Sequence, residues 1–502
     1  MDEKALELAL LRNQMSALSQ NSEDSVIEAL EEMKSILAMK AIGHEQAKKL
    51  QSIVRCFFKE FNRNVAFRGT ETLFLARYKD ILRFFDHNQG VIFATEAFLF
   101  CYTLTLNYKK VQIPIHDNLA LPYRDWVKGA WHFLTPELTD LEIGNEYVFI
   151  CRHAVTRGGY APGSSIYTFA KALLKDNRKV TVISLGAISE DFKSLAEQFS
   201  RLRIYSLPSA TPEAMLKAVI NFLRHTKAKA VMTEIELHFG SVLSILKPRI
   251  PIIFLSPGYY NLPWFDKIGL TDNLNQNPVG NRNRDFFEIP TYVANEILNP
   301  QADIQKVENA KRQLGLKDHD FVIGSFARME KFQPQFLDVL SKVLREKQNV
   351  KVLLAGPNER SAVTQQLKNF VDIGRAFVLP SIDVHVYGHL LDLALDSFPT
   401  HSGFSMLELM AKGVPVVAKM DAGIDGLWRH RLPELLRKTD DELIDLLCHL
   451  SSDPTRLKTL SSKSTMLIND DLNDKKFRDA LDNAIYAHNT KESFKTVRNL
   501  AR

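Results

Sequence analysis

Arg328 and Lys331 lie in the stretch Ser325–Pro334 (SFARMEKFQP), between a β-rich hexapeptide and a proline suited to a first helical turn. Two cations placed there fall at the carboxyl edge of a sheet. A lysine in that position neutralises charge that builds up on a departing diphosphate; a solvated loop lysine is the plain alternative. A second stretch, Leu390–Ala418 (LLDLALDSFPTHSGFSMLELMAKGVPVVA), runs from an apolar segment into a small-residue turn and then a short amphipathic helix. Its turn holds Ser402 and Gly403, and the helix starts near Phe404 and Ser405. Unpaired backbone N–H groups and the positive end of the helix dipole meet at such a junction, which suits a diphosphate. Glu408, one turn in, is placed to accept hydrogen bonds from a sugar hydroxyl. Between the two stretches, Pro380-Ser381-Ile-Asp-Val-His385 follows an apolar tetrapeptide. Backbone amides there could read a base edge and the imidazole could stack on it, or His385 could be structural.

Several chemistries are excluded. The loop Arg157–Ser165 lacks the G-x-G-x-x-G spacing of a dinucleotide site, and no Walker-type G-x-x-x-x-G-K-[ST] occurs. No H-E-x-x-H or carboxylate-rich cluster indicates a metal, so no metal and no cofactor beyond the substrates is expected. Four scattered cysteines form no C-x-x-C pair and read as free thiols in a reducing compartment. The acidic, amphipathic N-terminus is unlike a signal peptide, and no apolar run is long enough to span a bilayer. A cytoplasmic protein without a transmembrane segment is expected. The net charge of +5 over 502 residues does not call for nucleic acid.

The elements that must position these residues show two textures. Up to about residue 143 apolar residues recur at helical spacing, in Ala5–Leu18, Ser25–Met39, His44–Phe61 and Thr70–Phe85. Thr95–Tyr108 reads equally as helix or extended chain, and Ile113–Trp131 as a loop rich in Pro and aromatics. From Glu146 short apolar strands alternate with helices, which means parallel sheets with covering helices. The expected organisation is a helical domain (1–143), an α/β domain (144–295), a second α/β domain (296–470) and a helical tail (471–502). Two α/β domains joined near residues 290–300 predict a cleft between them, where small ligands bind.

Taken together, these blocks resemble the GT-B glycosyltransferase fold, with two Rossmann-like domains facing a cleft. More narrowly they are similar to the family that holds the O-GlcNAc transferases and the bacterial cytoplasmic N-glucosyltransferases of adhesins. The resemblance covers about residues 145–430. Pro251–Tyr260 resembles the family's PIQ…GYP segment, Phe326–Pro334 its F-N-x-x-x-K-x-x-P block, and Asp396–Glu408 its L-D-x…G-H-T-T-x-x-D block. The resemblance implies that Lys331 meets the donor phosphates, Arg328 reaches the donor, His385 stacks on uracil and Glu408 holds the ribose. It further implies that Phe404 and Ser405 offer N–H groups to the pyrophosphate.

The sequence departs from the family at Gly403 and Phe404, where a His and a Thr are usual. The family's first-loop histidine has only a loose counterpart in His153. His238 is a second candidate facing the cleft. Acceptor contacts would fall to Gly258, Tyr259 and Tyr260. No tetratricopeptide array precedes the α/β part. The activity implied is metal-independent transfer of a hexose or N-acetylhexosamine from a UDP-sugar. The acceptor implied is a protein side chain (Ser/Thr or Asn), such as that of a bacterial surface protein before export. The alternatives are a glycan or lipid-linked acceptor, or a non-catalytic subunit that supports a partner glycosyltransferase. The helical domain would then serve as the partner or self-association surface.

Overall fold

The computed structural model describes residues 23–60, 70–107, 119, 121–156, 161–207, 210–233, 243–246, 249–255, 267–270, 287–288, 295–399, 401–420, 432–471, 474–475, 477–483 and 485–486. The described parts of 1–150 and 207–254 form one compact unit, and those of 151–206 and 267–502 a second. The helix expected at Ala5–Leu18 lies outside the described residues.

In the first unit, helices α1 (Glu23–Ala38), α2 (His44–Glu60), α3 (Thr70–Leu82), α4 (His87–Asn107) and α5 (Leu121–Ala130) pack around buried aromatics such as Phe74, Tyr78, Phe93 and Trp131. One open reading is decided here and one expectation is corrected. Thr95–Asn107 continues α4 as helix, and Leu121–Ala130, read from sequence as loop, is helical. Pro122 stands in the first turn of α5, where its missing N–H has no intrahelical partner to lose.

The strands make two parallel sheets with covering helices, as the alternating texture predicts. In chain order the first part runs β1 (Glu146–Cys151), α6 (Ala161–Lys175), β2 (Lys179–Ser184), α7 (Glu190–Gln198), β3 (Leu202–Ser206), α8 (Pro212–Thr226), β4 (Ala228–Thr233), β5 (Ile252–Leu255), β6 (Lys267–Leu270) and β7 (Phe287–Glu288). In the first unit β4 pairs in parallel with both β1 and β5. The helical segment is tied to α8 by His87 Nε2 on Glu213 Oε2 (2.7 Å) and by the Glu213 N–H donating to Asn88 (2.9 Å). In the second unit β2 pairs with β3 and β6 with β7, both parallel.

The rest of the second unit is one six-stranded sheet. Its elements are α9 (Ile304–Gln313), β8 (Phe321–Phe326), α10 (Pro334–Glu346), β9 (Val350–Ala355), α11 (Ser361–Gln366), α12 (Lys368–Val371), β10 (Ala376–Leu379), α13 (Val384–Tyr387), β11 (Leu393–Leu395), α14 (Phe404–Ala411), β12 (Val416–Lys419), β13 (Leu436–Arg437), α15 (Asp440–Leu450) and α16 (Pro454–Asp471). The apolar periodicity of Ser361–Val371 reads as one helix, but the segment is two pieces meeting at Leu367. Val414–Ala418 (VPVVA) reads as a strand, but β12 starts two residues later, at Val416.

Strand order is β10-β9-β8-β11-β12-β13. The chain therefore moves outward from β8 in one direction, returns, and moves outward from β11 in the other. Such a reversal leaves a crevice outside the carboxyl ends of the two central strands, because the loops there depart to opposite sides. β8 is buried along its whole length. α10 lays Phe336, Leu340, Val343 and Leu344 on the sheet at helical spacing, and α15 adds Leu443 and Leu447 to the same core. At the end of β9, Gly356 passes so close to the turn after β8 that a Cβ would lie 1.7 Å from the Ala327 carbonyl oxygen. Only glycine lets the two loops approach this closely.

The described part of the C-terminal tail packs on α6 and its C-terminal turn. Phe477 stacks on Phe169 at 4.3 Å, and Arg178 grips Asp482 with two hydrogen bonds of 2.8 Å.

Candidate functional site

The crevice between β8 and β11 is where the sequence-derived residues converge. After β8 the chain makes a 3-10 turn, Met329–Lys331, pinned by the buried Met329 and Phe332, before Pro334 opens α10. The turn directs Lys331 across to the neighbouring loop, where its Nζ donates to the His401 carbonyl at 2.7 Å. Burial, aided by Arg328, lowers the Lys331 pKa, while Asp396 and Glu330 pull it back. Arg328 itself is half exposed, with Nε 3.3 Å from Glu330 Oε1.

The loop after β11 is organised by a buried carboxylate. Asp396 Oδ1 accepts the Ser402 N–H at 2.8 Å and Oδ2 lies 3.1 Å from His401 Nδ1. Both side chains are almost fully buried. Ser397 and Ser402 hydroxyls meet at 2.9 Å. These bonds fold the turn so that Gly403 becomes the N-cap of α14, exposed and with no side-chain cap. Its Cβ position meets nothing within 4 Å. The first N–H groups of α14, at Phe404 and Ser405, have no partner within the helix. The Ser405 hydroxyl donates to the Phe326 carbonyl at 2.8 Å, stitching α14 to the end of β8. Lysine, helix N-terminus and open space at Gly403 thus share one sheet edge, an arrangement that can hold an anion.

A second group of charges sits further along α14. Glu408 and Lys412 are one turn apart, and both approach His385 of α13: Nε2 of the ring is 3.9 Å from Glu408 Oε1, and Nδ1 is 3.0 Å from Lys412 Nζ. Burial raises the Glu408 pKa to about 7, opposed by Lys412 and aided by Asp383. Burial lowers the Lys412 pKa to about 8, opposed by Glu408 and Asp383. Asp383 caps α13 by accepting the His385 N–H at 2.9 Å, which sets where the ring starts. Pro380 and Ser381 are exposed at the carboxyl end of β10.

His153 follows β1. Its Nδ1 accepts the Ala187 N–H at 3.2 Å, which places the proton of the neutral ring on Nε2. In that tautomer Nε2 is the donor nitrogen. His153 can therefore supply a hydrogen bond, whereas proton abstraction would first require the Ala187 bond to break. His238, Gly258, Tyr259 and Tyr260 lie outside the described residues. Among the described residues, no three His, Cys, Asp or Glu side chains converge as a metal site would require, and no helix is long and apolar enough to cross a membrane.

Three residues of this edge carry no role in the sequence reading: Asp396, His401 and Lys412. An Asp closing an apolar strand, with a His five positions on, is a faint signal. Lys412 carried a plainer one, lying four residues after Glu408 on the same helix face.

No family model matches the chain, and no curated protein matches its sequence. Solved structures do. An O-GlcNAc transferase mutant from Thermobaculum terrenum aligns over 99% of this chain and 100% of its own, at 15% identity and a TM-score of 0.58. A glycosyltransferase from Rickettsia africae aligns over 68% of this chain and 98% of its own, at 15% identity and a TM-score of 0.55. At this identity the likeness concerns the fold. The chain has the GT-B fold, two parallel Rossmann-like sheets with covering helices.

Proposed function

We propose that the protein is a glycosyltransferase that moves a hexose or N-acetylhexosamine from a UDP-sugar to an acceptor, with a protein side chain as the favoured acceptor. The observation that carries this reading is the joint placement of Lys331 and the uncapped N-terminus of α14 beside the strand-order reversal. Both supply positive charge where a diphosphate would sit. The alignment over nearly the whole of a structure called an O-GlcNAc transferase, helical segment included, supports the same class.

In the reaction the bond between the sugar's anomeric carbon and the β-phosphate oxygen breaks, and UDP leaves with the electron pair. The acceptor's oxygen or nitrogen forms the new bond and gives up its proton to the leaving diphosphate or to solvent. Lys331 commits one of its three N–H bonds to the His401 carbonyl and turns the others to the departing phosphate. The amides of Phe404 and Ser405 bind the same oxygens, so no metal is required. Glu408 accepts from the ribose, His385 packs on the base beside Pro380 and Ser381, and Arg328 reaches the donor from the rim. His153, with His238, Gly258, Tyr259 and Tyr260, serves the acceptor.

Calorimetric and thermal-shift titration with UDP, followed by a donor screen that reads UDP release, tests the proposal. UDP at 100 times its dissociation constant stabilises the fold by about 2.7 kcal/mol. No shift with any nucleoside diphosphate would sink it. Binding without turnover on any donor or co-expressed acceptor would instead identify a non-catalytic subunit.

A further inference from the structure

Lys412 is more deeply engaged than an ordinary helix-end lysine. Its ammonium donates to the Leu298 carbonyl at 2.7 Å, to the Glu408 carbonyl at 3.2 Å and to His385 Nδ1 at 3.0 Å. Those three acceptors match its three N–H bonds. Its stem passes over Gly388, where a Cβ would lie 3.0 Å from Lys412 Cδ and 3.0 Å from Leu409. The missing Cβ at Gly388 therefore leaves room for the Lys412 stem to pass.

The bond to His385 has a chemical consequence. An ammonium has no lone pair, so the ring nitrogen facing it must carry one. The ring proton then sits on Nε2, the nitrogen that faces Glu408 at 3.9 Å. We propose that Lys412 is the positioning residue of the nucleotide pocket: its ammonium holds the His385 imidazole as the neutral Nε2–H tautomer, in a fixed orientation for stacking on a base. Glu408, Asp383 and His389 are the other titratable groups around Lys412. Asp383 and Glu408 favour its charge, and Lys412 in turn disfavours charge on His389. The network makes base recognition and ribose recognition interdependent, because one lysine contacts both the stacking ring and the helix turn that bears Glu408.

This inference deepens the nucleotide reading and rests on it for one of two readouts. The first readout does not depend on any ligand. In the 15N-histidine spectrum of the full chain at about pH 7.5, where a free imidazole is neutral, His385 shows the Nε2–H pattern. Lys412→Met converts it to a tautomer mixture, and Lys412→Arg, which keeps a donor, restores the wild-type pattern. Gly388→Ala, which crowds the Lys412 stem, gives a smaller shift of the same kind. The second readout is UDP affinity, which falls about tenfold in Lys412→Met, the size of one charge-assisted hydrogen bond, and recovers in Lys412→Arg. A wild-type ring protonated on Nδ1, or a Lys412→Met protein with unchanged spectrum and unchanged affinity, overturns the proposal. Should wild type show the expected ring pattern yet bind no UDP, the nucleotide reading falls while the spectra still decide the role of Lys412.

Discussion

The loops that follow β1 and β2 and those that follow β8 and β11 all leave the carboxyl ends of parallel strands, yet they are built differently. The first set is held mainly by small polar groups, with the Thr156 hydroxyl also donating to the Asp191 carboxylate. Ser184 Oγ accepts the Ala154 N–H at 3.1 Å and the Gly186 N–H at 3.3 Å, and the Ser164 hydroxyl donates to the Thr156 carbonyl at 2.8 Å. The one histidine there, His153, is tied by a backbone amide. The second set is held by buried or half-buried charges: Asp396 with His401, Lys331 on a carbonyl, Glu408 with Lys412. Buried charge is expensive to maintain, and sheets of this kind do not need it for folding alone. Among the described residues its concentration at the β8–β11 edge agrees with the diphosphate site proposed there.

This contrast can be broken by substitution, and the largest effect is expected at Asp396. Asp396→Ala leaves the His401 ring and the Ser402 N–H buried without their acceptor, so urea denaturation should show a loss of about 3–5 kcal/mol. Next comes Lys331→Ala. Donor turnover, read as UDP release at saturating UDP-sugar, should drop about 100-fold, equivalent to about 2.7 kcal/mol. Folding should be nearly unchanged, since only one hydrogen bond to a carbonyl is lost. At the other edge Ser184→Ala removes a shared acceptor, and a loss of about 1–2 kcal/mol is expected in the same urea experiment. A loss at Ser184 equal to that at Asp396 would erase the difference between the edges.

The smallest effect is on pH dependence. The Glu408 carboxyl is raised from its ordinary value to about 7, so between roughly 4.5 and 7 the folded chain holds a proton that the unfolded chain releases. Its contribution is full below the unfolded value and is lost as pH rises through about 7. Lys412, lowered to about 8, acts in the opposite sense: its contribution is present above the unfolded value near 10.5 and is lost as pH falls through about 8. Between these limits both groups are charged and the pair is least favourable. Melting temperature should therefore decline across the weakly acidic range, and Glu408→Gln should flatten that decline. UDP at neutral pH should also counter it, because a ribose hydroxyl favours the carboxylate form.

Much of the second unit was legible in advance. The runs Lys179–Ser184, Phe321–Phe326, Val350–Ala355 and Ala376–Leu379 read as strands at the bounds that β2, β8, β9 and β10 have, and the helix expected from Phe404 to Lys412 ends one residue earlier, since each is a local run closed by Gly, Pro or a polar turn. The first unit was less legible. Ile113–Trp131 reads as loop because Pro and aromatics dominate it, but Trp131, Tyr123 and Val127 are buried, and tertiary packing overrides weak propensity in α5. At the site, Lys331, Ser405 and Glu408 stood out by type and place in a motif. Asp396, His401 and Lys412 did not, because a buried carboxylate or ammonium resembles an exposed one until its neighbours are known.

By itself, then, the sequence determined the alternation of strand and helix, the positions of the anion-suited junction and its lysine, and the absence of Walker and dinucleotide loops. These are local properties, set by periodicity and by residue type within a few positions. The tertiary structure decided which loops meet. Lys331 and His401 are 70 residues apart, and they touch because β8 and β11 are neighbours at the reversal of strand order. Strand order is fixed by long-range packing of apolar faces, which leaves no local trace in the chain. The pairing of charges follows from that order, and so do the pKa shifts at Glu408 and Lys412.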